Sequence, residues 1–311
     1  MKVVGVDLGG TKILTRIVDV DTGASIGRKK VQTPRTGTDD VMDAIVDLVQ
    51  SLPGSDDADL IGVGVPGLVT RDGVVARCPN IVGWDQPVAV AEQLSERLGR
   101  PVVVANDVNC GVVAEHRVGA GVGVDDLMAV FVGTGVGGGL IVGGTLVDAG
   151  RGMAGEIGHV TVIDGGRICG CGERGHLEAY AGRAGMEGEA RRLVAAGRTS
   201  RLVELAGDSP IKSSHFNNAL GAGDEVAHEL LDDAVTALAI GIGNAATLLD
   251  LRRVVLGGGM VDKLGQPFLD QISGSPSFGG FGPTVCDLAL AQRLDDAGVV
   301  GSAFLASERL A

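Results

Sequence analysis

Aromatic side chains are scarce: one Trp, one Tyr and six Phe make up 3% of 311 residues. Apolar content is nevertheless 45%, so the core must be built from Val, Leu, Ile and Ala. Basic charge is short as well. Lys and Arg number 26 against 39 Asp and Glu, a net charge of −13. Nucleic acid and anionic membrane are therefore not expected as partners, since both need basic patches; an anionic nucleotide can still be held by local loops. No segment has the roughly 18 uninterrupted apolar residues of a membrane helix. The start, Met1-Lys2-Val3-Val4-Gly5-Val6-Asp7, lacks the apolar stretch and small-residue cleavage site of a signal peptide. The five cysteines form no even disulfide framework. Cys78, Cys110 and Cys286 stand singly, as buried small apolar groups do, and a reducing cytoplasm is the expected location.

What is abundant is glycine, 52 residues, clustered at turn-like sites and not in low-complexity tracts, so disorder is not implied. The length allows two domains with separate cores. Strand-like runs at 3–6, 12–20 and 26–32 precede helical spacing at Val41, Met42, Ile45, Leu48, Val49 and Leu52, with Thr38 or Asp39 as N-cap. A strand at 60–65, a helix through Ala91, Leu94 and Leu98 stopped by Gly99, and a strand at 102–105 ending at Asn106-Asp107 follow. The pattern restarts at 127–132, which runs into Gly133–Gly139 and then a hairpin turning at Gly143-Gly144. Residues 187–249 are helix-rich with a break near Gly207–Pro210; a strand at 254–256 enters Gly257-Gly258-Gly259, and a helix at 299–310 closes the chain. One plan appears twice, and each half is α/β. The expected division is 1–108 plus about 297–311 as a small domain, and 109–296 as a large domain.

Three glycine clusters follow strands. Asp7-Leu8-Gly9-Gly10-Thr11-Lys12 brings backbone N–H groups, the Thr11 hydroxyl and the Lys12 ammonium to one turn, suited to phosphate, with Asp7 placed to hold Mg²⁺ directly or through water. A plain hairpin turn is the alternative. Gly133-Thr134-Gly135-Val136-Gly137-Gly138-Gly139 has more glycine than a simple turn needs, and Gly258-Gly259 is a further close-approach site or a tight turn. None has the ending of a P-loop or the acidic partner of a dinucleotide fingerprint. Asp107 follows a buried strand, where open α/β sheets place their chemistry. It is a candidate general base or, equally, a helix N-cap.

The densest stretch is Gly155-Glu156-Ile157-Gly158-His159, then Cys169-Gly170-Cys171-Gly172-Glu173-Arg174-Gly175-His176-Leu177-Glu178. His159, Cys169, Cys171 and His176 are the ligand types of a closed, structural zinc site. A redox dithiol or two buried thiols is the alternative.

With these motifs in order, the chain resembles the ROK family of sugar kinases and regulators, within the actin/hexokinase-like ATPase fold: two α/β domains of duplicated architecture around a central cleft. Many members have a third cysteine where this chain has His176, and zinc accepts either. The resemblance implies ATP-dependent phosphorylation of a hexose at its 6-hydroxyl, with glucose the first expectation; fructose, mannose, N-acetylglucosamine and N-acetylmannosamine stay open. Asp107 becomes the base. Asn106, Glu156, His159 and Glu178 become partners of the other hydroxyls, and Gly67 and Asn80 lie on sugar-side loops near Trp84, which either stacks on sugar or packs in the core. Asp7, Gly9, Gly10, Thr11, Lys12, Thr134, Gly135, Gly137, Gly138, Gly258 and Gly259 become the ATP side, with Mg²⁺ accompanying the nucleotide and domain closure excluding water. Polyphosphate is a second possible donor. Regulators of the family carry a helix-turn-helix before the first glycine loop, which begins here at residue 7, so an enzyme is expected ahead of a regulator or a non-catalytic sugar-binding module. A homodimer or homotetramer joined through 187–249 is expected too.

Overall fold

The structure is a computed structural model describing residues 1–148, 151–279, 286–293 and 296–310. Ala311 of the expected small domain, and 149–150, 280–285 and 294–295 of the large one, lie outside the described residues. Contacts divide the chain into unit 1 (Met1–Gly123, Leu140–Ala154 and Gln292–Ala311) and unit 2 (Val124–Gly139 and Gly155–Ala291).

Unit 1 begins with β1 (Lys2–Leu8), β2 (Lys12–Asp19) and β3 (Ala24–Gln32), an antiparallel meander whose register pairs Leu8 with Ile13. Helix α1 (Thr38–Gln50) buries Val41, Met42, Ile45, Val46, Leu48 and Val49. Its N-cap is Gly37 and not Thr38 or Asp39; Thr38 is already helical, while Asp39 and Asp40 oppose the positive end of the helix dipole from the first turn. Strand β4 (Leu60–Val65) runs parallel to β1. A small antiparallel sheet of β5 (Leu68–Val69), β6 (Val74–Arg77) and β7 (Val88–Ala89) comes next. Helix α2 (Val90–Leu98) stops at Gly99, which is left-handed (φ 63°) as a C-cap glycine. Strand β8 (Val102–Asn106) pairs parallel with β4, giving the order β3-β2-β1-β4-β8. Helix α3 (Asp107–Val118) follows directly.

In unit 2, β9 (Leu127–Val132) lies beside β10 (Val136–Val142). The far half of β10 is counted with unit 1, where Ile141 pairs with Leu146 of β11 (Thr145–Leu146). The intervening Gly143 and Gly144 have φ of 56° and 75°, the sign a two-residue hairpin turn needs. A helical layer follows: α4 (Glu178–Ala181), α5 (Arg183–Ala195), α6 (Arg201–Ala206), α7 (Ser213–Gly221) and α8 (Glu225–Leu249). Strand β12 (Arg253–Gly257), helices α9 (Val261–Leu264) and α10 (Gln266–Gly274), and strand β13 (Asp287–Leu290) complete unit 2, with β12 parallel to both β9 and β13. Helix α11 (Ala297–Leu310) closes the chain in unit 1.

The order β10-β9-β12-β13 repeats β2-β1-β4-β8, so the duplicated plan read from the sequence is present in the strand order. Strand β13 was not anticipated: its four residues, Asp-Leu-Ala-Leu, are only partly buried and carry no β-branched signal.

Unit 1 reaches past residue 108 because α3 packs on α11 backbone to backbone. A Cβ at Gly301 would overlap the carbonyl oxygen of Cys110. Likewise a Cβ at Gly5 would overlap Val299 O, and one at Gly62 would overlap Ser302 O. We expect Gly301→Ala to destabilise the protein by about 3 kcal/mol or more, the cost of overpacking against unyielding backbone. Urea unfolding would measure it, and an unchanged midpoint would contradict this packing.

Candidate functional site

The first glycine turn is fastened from its own unit. Gly9 N–H donates to Lys12 O at 2.9 Å, the Thr33 hydroxyl donates to Gly9 O at 2.6 Å, and Thr33 N–H donates to Thr11 O at 3.1 Å. Thr11 and Lys12 are exposed. The space a side chain would fill at Gly10 holds the Asn80 carbonyl, 2.9 Å from an ideal Cβ. Asn80 thus meets the phosphate-type turn through its backbone, while the residue itself is exposed. Gly67 sits at φ 132° with no room for a Cβ beside Arg77 O.

Asp107 is the first residue of α3, but it is not the cap. Asn106 caps the helix: its side-chain oxygen accepts from Asn109 N–H at 3.0 Å, and its amide donates to Gly67 O at 2.8 Å. Asn106 therefore spends a donor and an acceptor on the scaffold, and the Asp107 carboxylate accepts from Val108 N–H at 2.9 Å and from its own backbone N–H. Burial pushes the Asp107 carboxyl upward from its ordinary value. Asp7 is pushed up to about 6, first by burial and then by the charge of Asp107, with Lys12 opposing. The two carboxylates come from the ends of β1 and β8, and Gly298 of α11 leaves the space in which Asp7 lies, 2.7 Å from where its Cβ would stand. No local signal links residues 7, 107 and 298. Trp84 lies in the unit 1 core at 6% exposure, the packing alternative for this residue. A cavity of about 540 Å³ elsewhere in unit 1, lined by Val102, Val104, Asp148 and Arg309 among others, contains none of these candidates.

In unit 2 the four metal-type residues converge. The donor atoms of His159, Cys169, Cys171 and His176 all lie within 4.8 Å of one another. Cys169 Sγ is 3.9 Å from His159 Nδ1, and Cys171 Sγ is 3.2 Å from His176 Nδ1. Donors around a tetrahedral zinc stand roughly 3.3–3.8 Å apart for bonds of about 2.0–2.3 Å. The cluster therefore fits a metal ion with little movement. The turn between the thiols is held by Cys169 N–H on Glu173 O at 2.8 Å and Gly172 N–H on Cys169 O at 2.9 Å. His159 Nδ1 faces the cluster while its Nε2 lies 4.0 Å from Glu156 Oε2, so the ring offers one nitrogen to each side.

Glu178 is tied to the scaffold through both oxygens. One carboxylate oxygen accepts the backbone N–H of Val136 at 2.9 Å, and the other lies 3.5 Å from Cys169 Sγ. The second glycine cluster is also shorter as a turn than expected. Only 133–135 turn; Val136 opens β10, and Gly137 and Gly138 are strand residues. Gly138 lacks a side chain because Gly155 O and Ile157 Cγ2 pack there, each 2.8 Å from an ideal Cβ. Thr134 is exposed and accepts from Arg183 Nη2 at 2.6 Å, a cation the sequence reading did not single out. Gly258 is left-handed (φ 91°), with Val132 O 2.6 Å from an ideal Cβ, and Gly259 lies near Ser213 Oγ.

Residues 3–309 match the ROK family. The chain belongs to the ROK family. Glucokinase of Streptomyces coelicolor is 34% identical over 98% of this chain and 97% of its own length. N-acetyl-D-glucosamine kinase of Pectobacterium atrosepticum is 33% identical over 82% of this chain and 83% of its own. The crystal structure of a ROK-family glucokinase from Streptomyces griseus with glucose and AMPPNP aligns with TM-score 0.81 and 34% identity, covering 99% of this chain and 100% of that one. The two-domain α/β architecture of this ROK chain is that of the hexokinase-like relatives.

The raised Asp7 carboxyl has a thermodynamic consequence. Its folded pKa, about 6, lies above the ordinary 3.8, so ionised Asp7 destabilises the fold at neutral pH and the penalty disappears as pH falls below both values. In metal- and nucleotide-free protein, Asp7→Asn should raise stability at pH 7.5 by at most about 3 kcal/mol. The gain should shrink as pH falls through 6. Thermal unfolding from pH 4.5 to 8 measures it; a gain independent of pH would contradict the burial of this charge.

Proposed function

We propose that this ROK chain is an ATP-dependent hexose kinase that phosphorylates the 6-hydroxyl, with glucose as its acceptor. The observation that carries the reading is Asp107: a buried carboxylate with a raised pKa, excused from capping by Asn106 and placed beside Asp7. An alcohol is a weak nucleophile, and a carboxylate whose pKa is raised takes its proton more readily as the phosphoryl group transfers. Asp7, Gly9, Gly10, Thr11 and Lys12 serve the phosphates and Mg²⁺ from unit 1; Thr134, Gly135 and Gly258–Gly259 serve the nucleotide from unit 2, with Gly137 and Gly138 packing beneath. Glu156 and the Nε2 of His159 bind sugar hydroxyls, joined by the remaining capacity of Asn106 and Glu178 and by the Gly67 and Asn80 loops.

Zinc is the metal this reading places on His159, Cys169, Cys171 and His176, where it supplies a fixed structural support for the sugar-facing side of His159. Assembly into a homodimer or homotetramer belongs to the same reading, supported by Leu248 at 82% and Leu249 at 40% exposure at the end of α8.

A coupled ADP-release assay over hexoses and N-acetylhexosamines tests the acceptor, with polyphosphate replacing ATP in a second arm. Glucose with ATP should give the highest kcat/KM; preference for an N-acetyl sugar, or no turnover, would reject the assignment. Asp107→Asn should lower kcat by about 10²–10⁴-fold while sugar binding measured by calorimetry persists. Near-normal kcat would refute the base. Elemental analysis should find about one zinc per chain, and chelation should lower the melting temperature; a metal-free protein of unchanged stability would remove zinc from the reading.

A further inference from the structure

The turn at 133–136 and the metal cluster are fastened to the same short segment. Counted from the turn, Gly133 O accepts Arg183 N–H at 3.1 Å and Thr134 O accepts Ala184 N–H at 2.9 Å. Thr134 Oγ1 accepts from the Arg183 guanidinium, and Val136 N–H donates to Glu178. Gly133 N–H closes the turn on Gly135 O at 2.9 Å. Every one of these bonds but the last ends on residues 178–184. That segment begins two positions after His176, and its first carboxylate touches Cys169 as well. Gly135 has no side chain because the Glu178 carboxylate occupies the place of its Cβ, and a Cβ on Gly182 would stand 3.2 Å from Gly135 Cα. Side chain and backbone thus fasten the turn to the segment, which starts two positions from the ligand-type residue His176.

We infer that Glu178 is a positioning residue through which metal binding at His159, Cys169, Cys171 and His176 sets the Gly133–Val136 turn, so that metal and nucleotide bind cooperatively. The inference rests on the kinase reading above for the identity of the ligand at the turn. Its chemistry is simple. An ion held by His176 fixes the backbone two positions before Glu178, and by turning the Cys169 thiol that donates to Glu178 Oε1 into a thiolate it leaves Val136 N–H as the partner that holds the carboxylate. Without the ion, Cys169 and the start of α4 gain freedom, and ordering the turn around a triphosphate costs the entropy the ion would already have removed. Coupling between binding sites is reciprocal: the nucleotide must tighten the metal by the same factor.

The test is equilibrium binding of AMPPNP with Mg²⁺, without sugar, to zinc-loaded protein and to chelator-treated protein shown to be folded by circular dichroism. Zinc removal should weaken AMPPNP by about tenfold, within the usual range of allosteric coupling, and saturating AMPPNP should tighten zinc by the same factor in a chelator competition. Glu178→Ala, assayed zinc-loaded and therefore with its cluster intact, should bind AMPPNP as weakly as stripped wild type and show no further loss on chelation. Glu178→Gln keeps an acceptor for Val136 N–H and an amide donor toward the Cys169 sulfur, and should restore the dependence on zinc. Equal AMPPNP affinity with and without zinc, or a Glu178→Ala protein that still responds to chelation, overturns the coupling. Absence of AMPPNP binding to zinc-loaded wild type would instead reject the kinase reading itself.

Discussion

Unit 1 depends on places where side chains are missing. Helix α11 lies with its backbone against those of β1 and β4 because Gly5 and Gly62 leave room for the carbonyls of Val299 and Ser302, and it meets α3 through Gly301 at Cys110. These contacts fix three elements that each deliver one part of the site. Strand β1 delivers Asp7, α3 delivers Asp107, and the first turn of α11 delivers Gly298 beneath the Asp7 carboxylate. Close backbone packing of this kind tolerates almost no adjustment. The separation of the two carboxylates is therefore a property of the packed core and not of flexible loops.

That rigidity comes with an electrostatic cost. Two buried carboxylates, one at the end of β1 and one just past the end of β8 with β4 between those strands, the second raising the pKa of the first, lower the stability of the empty protein. A fold optimised for stability alone would place amides there. Asn106, immediately before Asp107, is such an amide and takes over the duties that would otherwise consume the acid: it caps α3 and ties the Gly67 loop. The pairing of a scaffold amide with a buried carboxylate at adjacent positions anchors the strand end without using the acid as the helix cap.

Much of the fold was legible because its strands and helices carry strong local patterns. Leu60–Val65 and Leu127–Val132 match their predicted limits, and the Gly143-Gly144 hairpin turns as its composition requires. The convergence of His159, Cys169, Cys171 and His176 was legible because the ligands are close in sequence. Glycine was harder to read. Gly5, Gly62 and Gly301 resemble turn or flexibility signals in one dimension, yet they are contact points for an element hundreds of residues away. Gly137 and Gly138 read as loop but lie in β10, where close approach of 155–157 excludes a side chain. Arg183 beside Thr134, and the Glu178 bond to Val136 N–H, span 49 and 42 positions, and no period or propensity records such distances. The partners of a motif were less legible than the motif itself.

The duplicated strand order makes the remaining difference between the halves informative. The first glycine turn is held by its own meander: Lys12 closes it and Thr33, at the end of the third strand, accepts the task of fixing Gly9 and Thr11. Among the described residues, the equivalent turn of the second half has one bond of its own, Gly133 N–H to Gly135 O, and is otherwise fastened to 178–184. Identical topology thus ends in unlike restraints. A turn secured by its own sheet is as stable as that sheet and answers to nothing else. The segment that secures the second turn is held by burial, with Leu177 and Ala179–Ala181 at most 5% exposed, since a four-residue helix such as α4 has too few turns to hold itself in water. The two turns thus differ in what each is fastened to, its own sheet in the first half and the segment beside the candidate metal cluster in the second.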